Sequence, residues 1–179
     1  YCVTREYYVN DAGGQTIALA RSAYVRYKEA LDEPISDDDF DQDMYKGDYL
    51  KPVGVALAQK YGNSFLNRPE AEWFETVRLF AIEEMMNYIR HDLKSLGITM
   101  EYASESALTK EGWVTKALKV LEAKGDVYTG VLEKPKGHQV DDWEERPQTL
   151  FRATAFGDDI DRALQKSDGA WTYFAGDVG

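Results

Sequence analysis

The first segment whose residue types suit ligand binding runs from Asn10 to Gln15, with the sequence Asn-Asp-Ala-Gly-Gly-Gln. It follows a predicted strand and precedes a predicted helix, and ligands of open α/β sheets bind at this kind of strand end. The glycines allow a ligand to approach the backbone, while Asn10, Asp11 and Gln15 offer directed polar contacts. The alternative interpretation is a strand-to-helix turn whose polar residues cap the helix, and composition alone favours it.

A second segment, Tyr173 to Asp177, combines a polar aromatic residue on a predicted strand with a carboxylate just beyond it. A carboxylate at a strand end suits a cation, and guanidinium groups bind carboxylates through two parallel hydrogen bonds. The alternative is a terminal strand with an exposed acid. Both segments lie at predicted strand ends, so their acid and amide groups could converge on one cation.

The aspartate-rich stretch 37–43 fails as a calcium site. In an EF-hand loop that starts at Asp37, position 6 is Gln42 instead of glycine and position 12 is Asp48 instead of glutamate. A solvated acidic loop is the better interpretation. Neither of the two histidines has a second histidine or a cysteine at ligand spacing, and both are predicted to lie on the surface. No metal site is therefore predicted, and no phosphate-binding glycine motif or Gly-x-Ser-x-Gly elbow occurs.

Apolar residues at helical spacing predict the helices that position these segments. The predicted helices cover residues 15–31, 48–61, 69–96 and 109–124. Asp48 is the predicted N-cap of the second helix, and Pro69 and Gly97 bracket the third. The predicted core positions of the third helix are Phe74, Val77, Ala81, Met85, Tyr88, Ile89 and Leu96.

β-Branched and aromatic residues predict short strands between the helices. These strands cover residues 3–9, 99–103, 127–132, 149–154, 162–166 and 171–174. The fourth is expected to pair with the third, and Asp168-Gly169 predicts a hairpin turn before the last. Polar residues with prolines and glycines predict loops at 32–47 and 133–148.

Composition narrows the class of protein. The 179 residues include 21 basic and 32 acidic side chains, so the net charge of −11 argues against a protein that grips a polyanion by itself. No apolar run is long enough to read as a membrane helix. Cys2 is the single cysteine, which excludes an internal disulfide and fits a cytoplasmic setting. Because the chain starts without Met and ends in a predicted strand, we expect a piece of a longer protein.

Five segments in order resemble bacterial-type arginyl-tRNA synthetase. They are VTREYYVNDAGGQTIALARSAYVRY from residue 3, GDYL at 47–50, IRHDLKSLGI at 89–98, SE at 104–105, and DRALQKSDGAWTYFAGD at 161–177. The resemblance covers nearly the whole chain. It implies an α/β fold, part of a class I synthetase Rossmann domain with an inserted helix-rich α+β subdomain. Residues 1–33 would be the first Rossmann segment, 34–148 the insertion, and 149–179 the return to the catalytic sheet.

The same resemblance implies an enzyme that activates L-arginine with ATP and Mg²⁺ and transfers it to tRNA(Arg). Tyr173 and Asp177 match the pair that holds arginine in the family, and Asn10, Asp11 and Gln15 match the turn that lines the same pocket. Whether Asp177 takes the guanidinium or the amino end is left open. The HIGH-type and KMSK-type motifs of the family do not occur in this sequence, so its catalytic residues are unknown and we expect no activity from the chain alone.

Two other interpretations compete with this one. A free-standing acidic α+β module could use its aromatic surface to hold a protein partner. Another class I synthetase, such as the one for cysteine, is disfavoured because the chain has no Cys/His zinc set. Under the preferred interpretation the protein is expected to be a cytoplasmic monomer without membrane contact.

Overall fold

The computed structural model describes residues 2–132 and 146–178, which fall into two compact units, 1–102 and 103–179. Its helices are α1 (Gly14–Ala30), α2 (Lys51–Tyr61), α3 (Glu70–Ser95), α4 (Glu105–Lys110), α5 (Trp113–Lys124) and α6 (Tyr173–Val178). Its strands are β1 (Glu6–Val9), β2 (Glu101–Ser104), β3 (Val127–Gly130), β4 (Gln148–Phe151) and β5 (Arg162–Gln165). Helices with small sheets form an α/β architecture, as predicted. Across the described ranges, no helix is both long and apolar enough to cross a membrane.

Helix α1 organises the first unit, because it packs against both α2 and α3. Ala23 and Tyr27 on α1 are fully buried. The ring of Tyr24 stacks on Trp73 of α3 with centroids 3.8 Å apart. Both tyrosine hydroxyls donate to backbone carbonyls in the segment between α2 and α3, so neither buried polar tip lacks a partner.

The predicted boundaries of α1 and α3 agree with the structure within two residues. The core face of α3 is only partly as predicted: Val77 and Ala81 are fully buried, whereas Tyr88 is 39% exposed and Leu96 is 73% exposed. With 26 residues, α3 is longer than α1 and α2, and the last of its fully buried residues is Met86. The buried residues of α3 thus lie between Trp73 and Met86, so periodicity alone overestimated the buried stripe.

Helix α2 starts later than predicted. A short 3₁₀ turn, Asp48–Leu50, leads into it, and Gly47 rather than Asp48 precedes this turn. The carboxylate of Asp48 instead pairs with Lys51 at 2.9 Å. The helix ends as predicted, with Gly62 at its C-cap.

The acidic loop between α1 and α2 is attached to α1. Arg26 is buried and donates to the Lys46 carbonyl, while the Lys28 ammonium lies 3.0 Å from Asp39. The pKa of Asp39 is lowered, first by the backbone N–H of Ser36 and then by Lys28. In the part of the chain that the structure describes, no cluster of His, Cys, Asp or Glu is arranged to hold a metal ion.

Strands β1 and β2 form a two-stranded sheet. The Glu101 N–H donates to the Arg5 carbonyl at 2.8 Å, and the Tyr7 and Tyr102 rings lie 5.7 Å apart. Both strands are shorter than predicted. The surface prediction for His91 is confirmed, whereas His138 and most of the predicted loop 133–148 lie outside the described residues.

The second unit contains an antiparallel sheet in the order β3-β4-β5. Tyr128 of β3 lies opposite Leu150 of β4, which confirms the predicted pairing of these segments. A bulge between Thr149 and Leu150 shifts the register toward β5. Helices α5 and α6 cover this sheet with a core of Val114, Leu164 and Ala175.

Two predictions for the second unit need correction. The predicted helix 109–124 is present as α5 with the predicted end, but it begins at Trp113, because Gly112 before it adopts a left-handed conformation with φ 76° and separates it from α4. The predicted strand 171–174 is absent: Trp171 forms a single bridge to Gln165, and the chain then enters helix α6. The turn predicted at Asp168-Gly169 is confirmed, with Gly169 at φ 88°.

Gly54 determines how closely α2 can approach α1. A Cβ built at this position would lie 2.3 Å from both the carbonyl carbon and the carbonyl oxygen of Arg26. Since the atoms in the way belong to the backbone, they cannot move aside without separating the helices. Gly14, at the start of α1, has no atom within 4 Å of such a Cβ.

The substitution Gly54→Ala is expected to lower the free energy of unfolding of the first unit by about 1–3 kcal/mol, because the clash outweighs the better helix propensity of alanine. Gly14→Ala is the matched control and should leave stability unchanged or slightly raised. Urea unfolding followed by circular dichroism measures both. Equal stability of the two variants would show that the helices do not depend on the close approach at residue 54.

Candidate functional site

The turn between β1 and α1 is held by its backbone. The Asp11 N–H donates to the Val9 carbonyl at 2.9 Å, and the Thr16 hydroxyl donates to the Gly13 carbonyl at 2.9 Å. Gly13 is the N-cap of α1, with φ 80° and ψ −177°, and no side chain caps the helix. The N-cap residue of α1 therefore contributes backbone groups and no capping side chain.

The polar side chains of the turn face solvent to different degrees. Asn10 and Gln15 are exposed, and Asp11 is half-buried. Neither Gly13 nor Gly14 has an atom within 4 Å of a Cβ built on it. Gly13 is needed for its backbone conformation, which is nearly restricted to glycine, and not for packing. A ligand can therefore reach the backbone of this turn.

Arg78 of α3 anchors the turn, a role that the sequence did not predict. Its Nη1 donates to the Asp11 carbonyl at 3.1 Å, while its Nε and Nη2 each donate to the Glu75 carboxylate at 2.8 Å. The Glu75 hydrogen bond raises the pKa of Arg78, with a smaller contribution from the charge of Asp11. The pKa of Glu75 is lowered by the same hydrogen bond. In the sequence, the Glu-x-x-Arg spacing on α3 indicates the ion pair of Arg78 with Glu75. It does not indicate the contact of Arg78 with Asp11.

Tyr173 and Asp177 lie on α6, and not at the end of a strand as predicted. Their spacing of four residues places both side chains on one face of the helix. Tyr173 is 57% exposed and Asp177 is also exposed, whereas Ala175 on the opposite side is buried. The pair thus presents a phenol and a carboxylate side by side to solvent.

Thr172 fixes α6 to β5. Its buried hydroxyl donates to the Ala163 carbonyl at 2.6 Å and accepts a hydrogen bond from the Ala175 N–H at 3.3 Å. The side chain thus caps the helix and bonds to the strand at once. Sequence reasoning missed it, although threonine just before a helix is a known capping signal.

Other carboxylates of the second unit already have partners. Asp161 accepts hydrogen bonds from the Tyr128 hydroxyl at 2.7 Å and from the N–H and hydroxyl of Thr154, and these bonds lower its pKa. Asp158 binds Arg162 through two hydrogen bonds. By contrast, the side chain of Asp177 makes no hydrogen bond or ion pair with any residue of ranges 2–132 and 146–178. Its carboxylate is thus available to a ligand.

The predicted site residues fall into two groups. Asn10, Asp11 and Gln15 belong to the first unit, and Tyr173 and Asp177 belong to the second. Within each group the side chains are neighbours along one turn or one helix face. That the two groups serve one cation stays a prediction.

The arrangement of helices and sheets is similar to that of a known structure. It is similar to the crystal structure of a protein described as an arginyl-tRNA synthetase from Campylobacter jejuni, with a TM-score of 0.75 and 24% sequence identity. The match covers 97% of this chain and 34% of that protein. This likeness concerns the fold.

The chain is also similar in sequence to curated proteins. The arginine–tRNA ligase of Parvibaculum lavamentivorans is 58% identical over 99% of this chain, and that of a Ruegeria species is 53% identical over 99%. The chain spans about 30% of the length of these curated relatives. Its sequence is thus similar to arginine–tRNA ligases over almost its whole length, as the resemblance implied, and the alternative of a free-standing acidic module is not supported. No protein-family model matches the chain.

Replacing Arg78 by leucine should destabilise the first unit by about 1–3 kcal/mol, because the partly buried guanidinium holds both Glu75 and the Asp11 carbonyl. Urea unfolding measures the loss, and hydrogen exchange of residues 11–16 should accelerate. Arg68→Leu is the control, since Arg68 forms an exposed pair with Glu72 and should change stability by less than about 0.5 kcal/mol. Unchanged exchange in residues 11–16 would show that Arg78 does not anchor the turn.

Proposed function

We propose that this chain is part of the catalytic domain of an arginine–tRNA ligase, which activates L-arginine with ATP and transfers the arginyl group to tRNA(Arg). In the first step the arginine carboxylate attacks the α-phosphate of ATP and pyrophosphate leaves. In the second, a hydroxyl at the 3′ end of the tRNA attacks the arginyl carbonyl and AMP leaves. The observation that carries the proposal is the identity of 53–58% with arginine–tRNA ligases over 98–99% of the chain.

Arginine recognition is assigned to the two groups of site residues. The Asp177 carboxylate, exposed and without a partner among the described residues, binds a cationic end of arginine. Tyr173, one helical turn earlier, adds a hydroxyl and a ring face beside it. Asn10, Asp11 and Gln15, which match the family's pocket turn by resemblance, are assigned amide and carboxylate contacts to arginine. Both the guanidinium and the amino end remain candidates for Asp177.

The same proposal covers the fold. Residues 1–33 form the first segment of a class I Rossmann domain, residues 34–148 form its helix-rich insertion, and residues 149–179 return to the catalytic sheet. The similarity in fold to the Campylobacter jejuni protein supports this assignment at the level of the α/β architecture. A monomeric, cytoplasmic protein follows from the same family.

ATP and Mg²⁺ are assigned to parts of the complete protein other than this segment. The sequence has neither a HIGH-type nor a KMSK-type motif. Within the two described ranges, no group of metal-ligating side chains is placed to hold Mg²⁺. The contribution of this chain is therefore to bind and orient arginine.

In the complete protein, Asp177→Asn is expected to raise the KM for arginine about 10- to 100-fold, because a charged hydrogen bond is lost from a cationic substrate. Tyr173→Phe should raise it less. Asp159→Asn changes an exposed acid of the same unit outside the proposed pocket and serves as the control. The proposal for Asp177 fails if its variant and the Asp159 variant have the same KM for arginine in aminoacylation.

The 179-residue chain alone is expected to show no arginine-dependent exchange of pyrophosphate into ATP, because it lacks the donors that stabilise charge at the α-phosphate. The complete protein is the positive control under the same conditions. Exchange by the isolated chain above the level without arginine would contradict this expectation and would place ATP-binding groups within these residues.

A further inference from the structure

Helix α6 carries Tyr173 and Asp177 but is too short to hold its place by itself. It has 6 residues, and isolated helices shorter than about 12 residues are marginal in water. Its packing on the second unit is apolar: Ala175 is buried, and Phe174 and Val178 pack against the same core. Apolar packing holds the helix against the core but has no directional preference. The direction of α6 therefore depends on the polar contacts where the helix begins.

Thr172 supplies polar contacts of this kind directly before Tyr173. The residue is buried, and its hydroxyl donates to the Ala163 carbonyl of β5 at 2.6 Å and accepts from the Ala175 N–H at 3.3 Å. Its backbone N–H donates to the Leu164 carbonyl at 3.1 Å. One residue thus joins the strand to the first turn of the helix. Because hydrogen bonds are directional, this junction sets where α6 begins and how it is oriented.

The Thr172 hydroxyl cannot be replaced by a methyl group without moving the helix. The distance of 2.6 Å between Thr172 Oγ1 and the Ala163 carbonyl oxygen suits an O–H···O hydrogen bond. A carbon atom lies about 3.3 Å or more from a carbonyl oxygen, so an isosteric valine would move β5 and α6 apart by about 0.7 Å. The Ala175 N–H also donates to the Thr172 carbonyl at 3.2 Å, so the first turn keeps a backbone bond. Valine therefore shifts α6 without unfolding it.

We propose that Thr172 is a positioning residue for arginine binding, because its hydroxyl holds α6 where Tyr173 and Asp177 meet the substrate together. The inference rests on the proposed function, which assigns arginine to this pair. The Asp177 side chain makes no polar contact among the described residues, so the backbone of α6 sets the position of its carboxylate. A misplacement of about 1 Å in groups that orient a substrate can cost about 100-fold in rate. The buried hydroxyl thus acts on arginine through the helix.

The test measures aminoacylation by the complete protein and by its Thr172 variants. Thr172→Val should raise the KM for arginine about 5- to 20-fold and change the KM for ATP less than about twofold, because the shift moves the arginine-binding groups. Thr172→Ser keeps the hydroxyl and should restore the KM for arginine to within about twofold of the wild type. If Thr172→Val does not fold, Thr172→Ala replaces it with the same expectation, since it removes the hydroxyl without a methyl group beside the Ala163 carbonyl.

Thr154→Val is the matched control. Thr154 lies in the same unit, and its hydroxyl donates to the Asp161 carboxylate at 2.7 Å, a contact that does not include α6. Both valine variants lose a hydroxyl hydrogen bond and should lower the midpoint of urea unfolding, but only Thr172→Val should raise the KM for arginine. The proposal is overturned if the two valine variants have the same KM for arginine, or if Thr172→Ser is as impaired as Thr172→Val.

A double variant shows whether Thr172 acts through Asp177. If it does, adding Thr172→Val to Asp177→Asn should raise the KM for arginine by a smaller factor than Thr172→Val does in the wild type. If the two factors multiply in full, the inference fails while the proposed function stands. Failure of the proposed function gives a different result: the wild type then attaches no arginine to tRNA, and both are overturned.

Discussion

The packing of α1 between α2 and α3 is the constraint on which the first unit depends. Ala23 and Tyr27 are fully buried. At Gly54, α2 lies so close to α1 that even a methyl group would clash with the α1 backbone. Since the turn that carries Asp11 continues directly into α1, the position of the helix sets the position of the turn. Arg78 adds the second restraint, because it holds the Asp11 carbonyl from α3. The open turn is thus supported on both sides by rigid elements.

Local signals predicted most of the elements but not the contacts between them. Pro69 and Gly97 bracket α3, and Asp168-Gly169 forms the predicted turn, because these residues act on the adjacent backbone. The prediction of a strand at 171–174 is wrong because Thr172 caps a helix there. Its hydroxyl also bonds to β5, a contact between distant residues that local sequence signals do not show. Among the site residues, those of the turn and of α6 were predicted from their types and from the family resemblance. Arg78 was not, because its contact with Asp11 joins residues 67 positions apart.

Charge is distributed unevenly over this acidic chain. In the first unit seven basic side chains pair with carboxylates, and in the second unit Asp158 and Asp161 are likewise engaged. Asp177 and the lysines of α5 are different, since they have no partner of opposite charge among the described residues. Exposed pairs contribute little stability, but leaving a charge unpaired keeps it available to a ligand. The Asp177 carboxylate therefore stays available to a cation.

The claim that the turn and α6 serve one arginine is tested most directly by hydrogen exchange of the complete protein, measured by mass spectrometry during an arginine titration. The account predicts that arginine slows exchange in the peptides covering residues 9–16 and 171–178 with the same half-saturating concentration. Citrulline, which lacks the charged guanidinium, should slow exchange less in both. Protection of only one of these peptides, or two clearly different half-saturating concentrations, would contradict a shared arginine site.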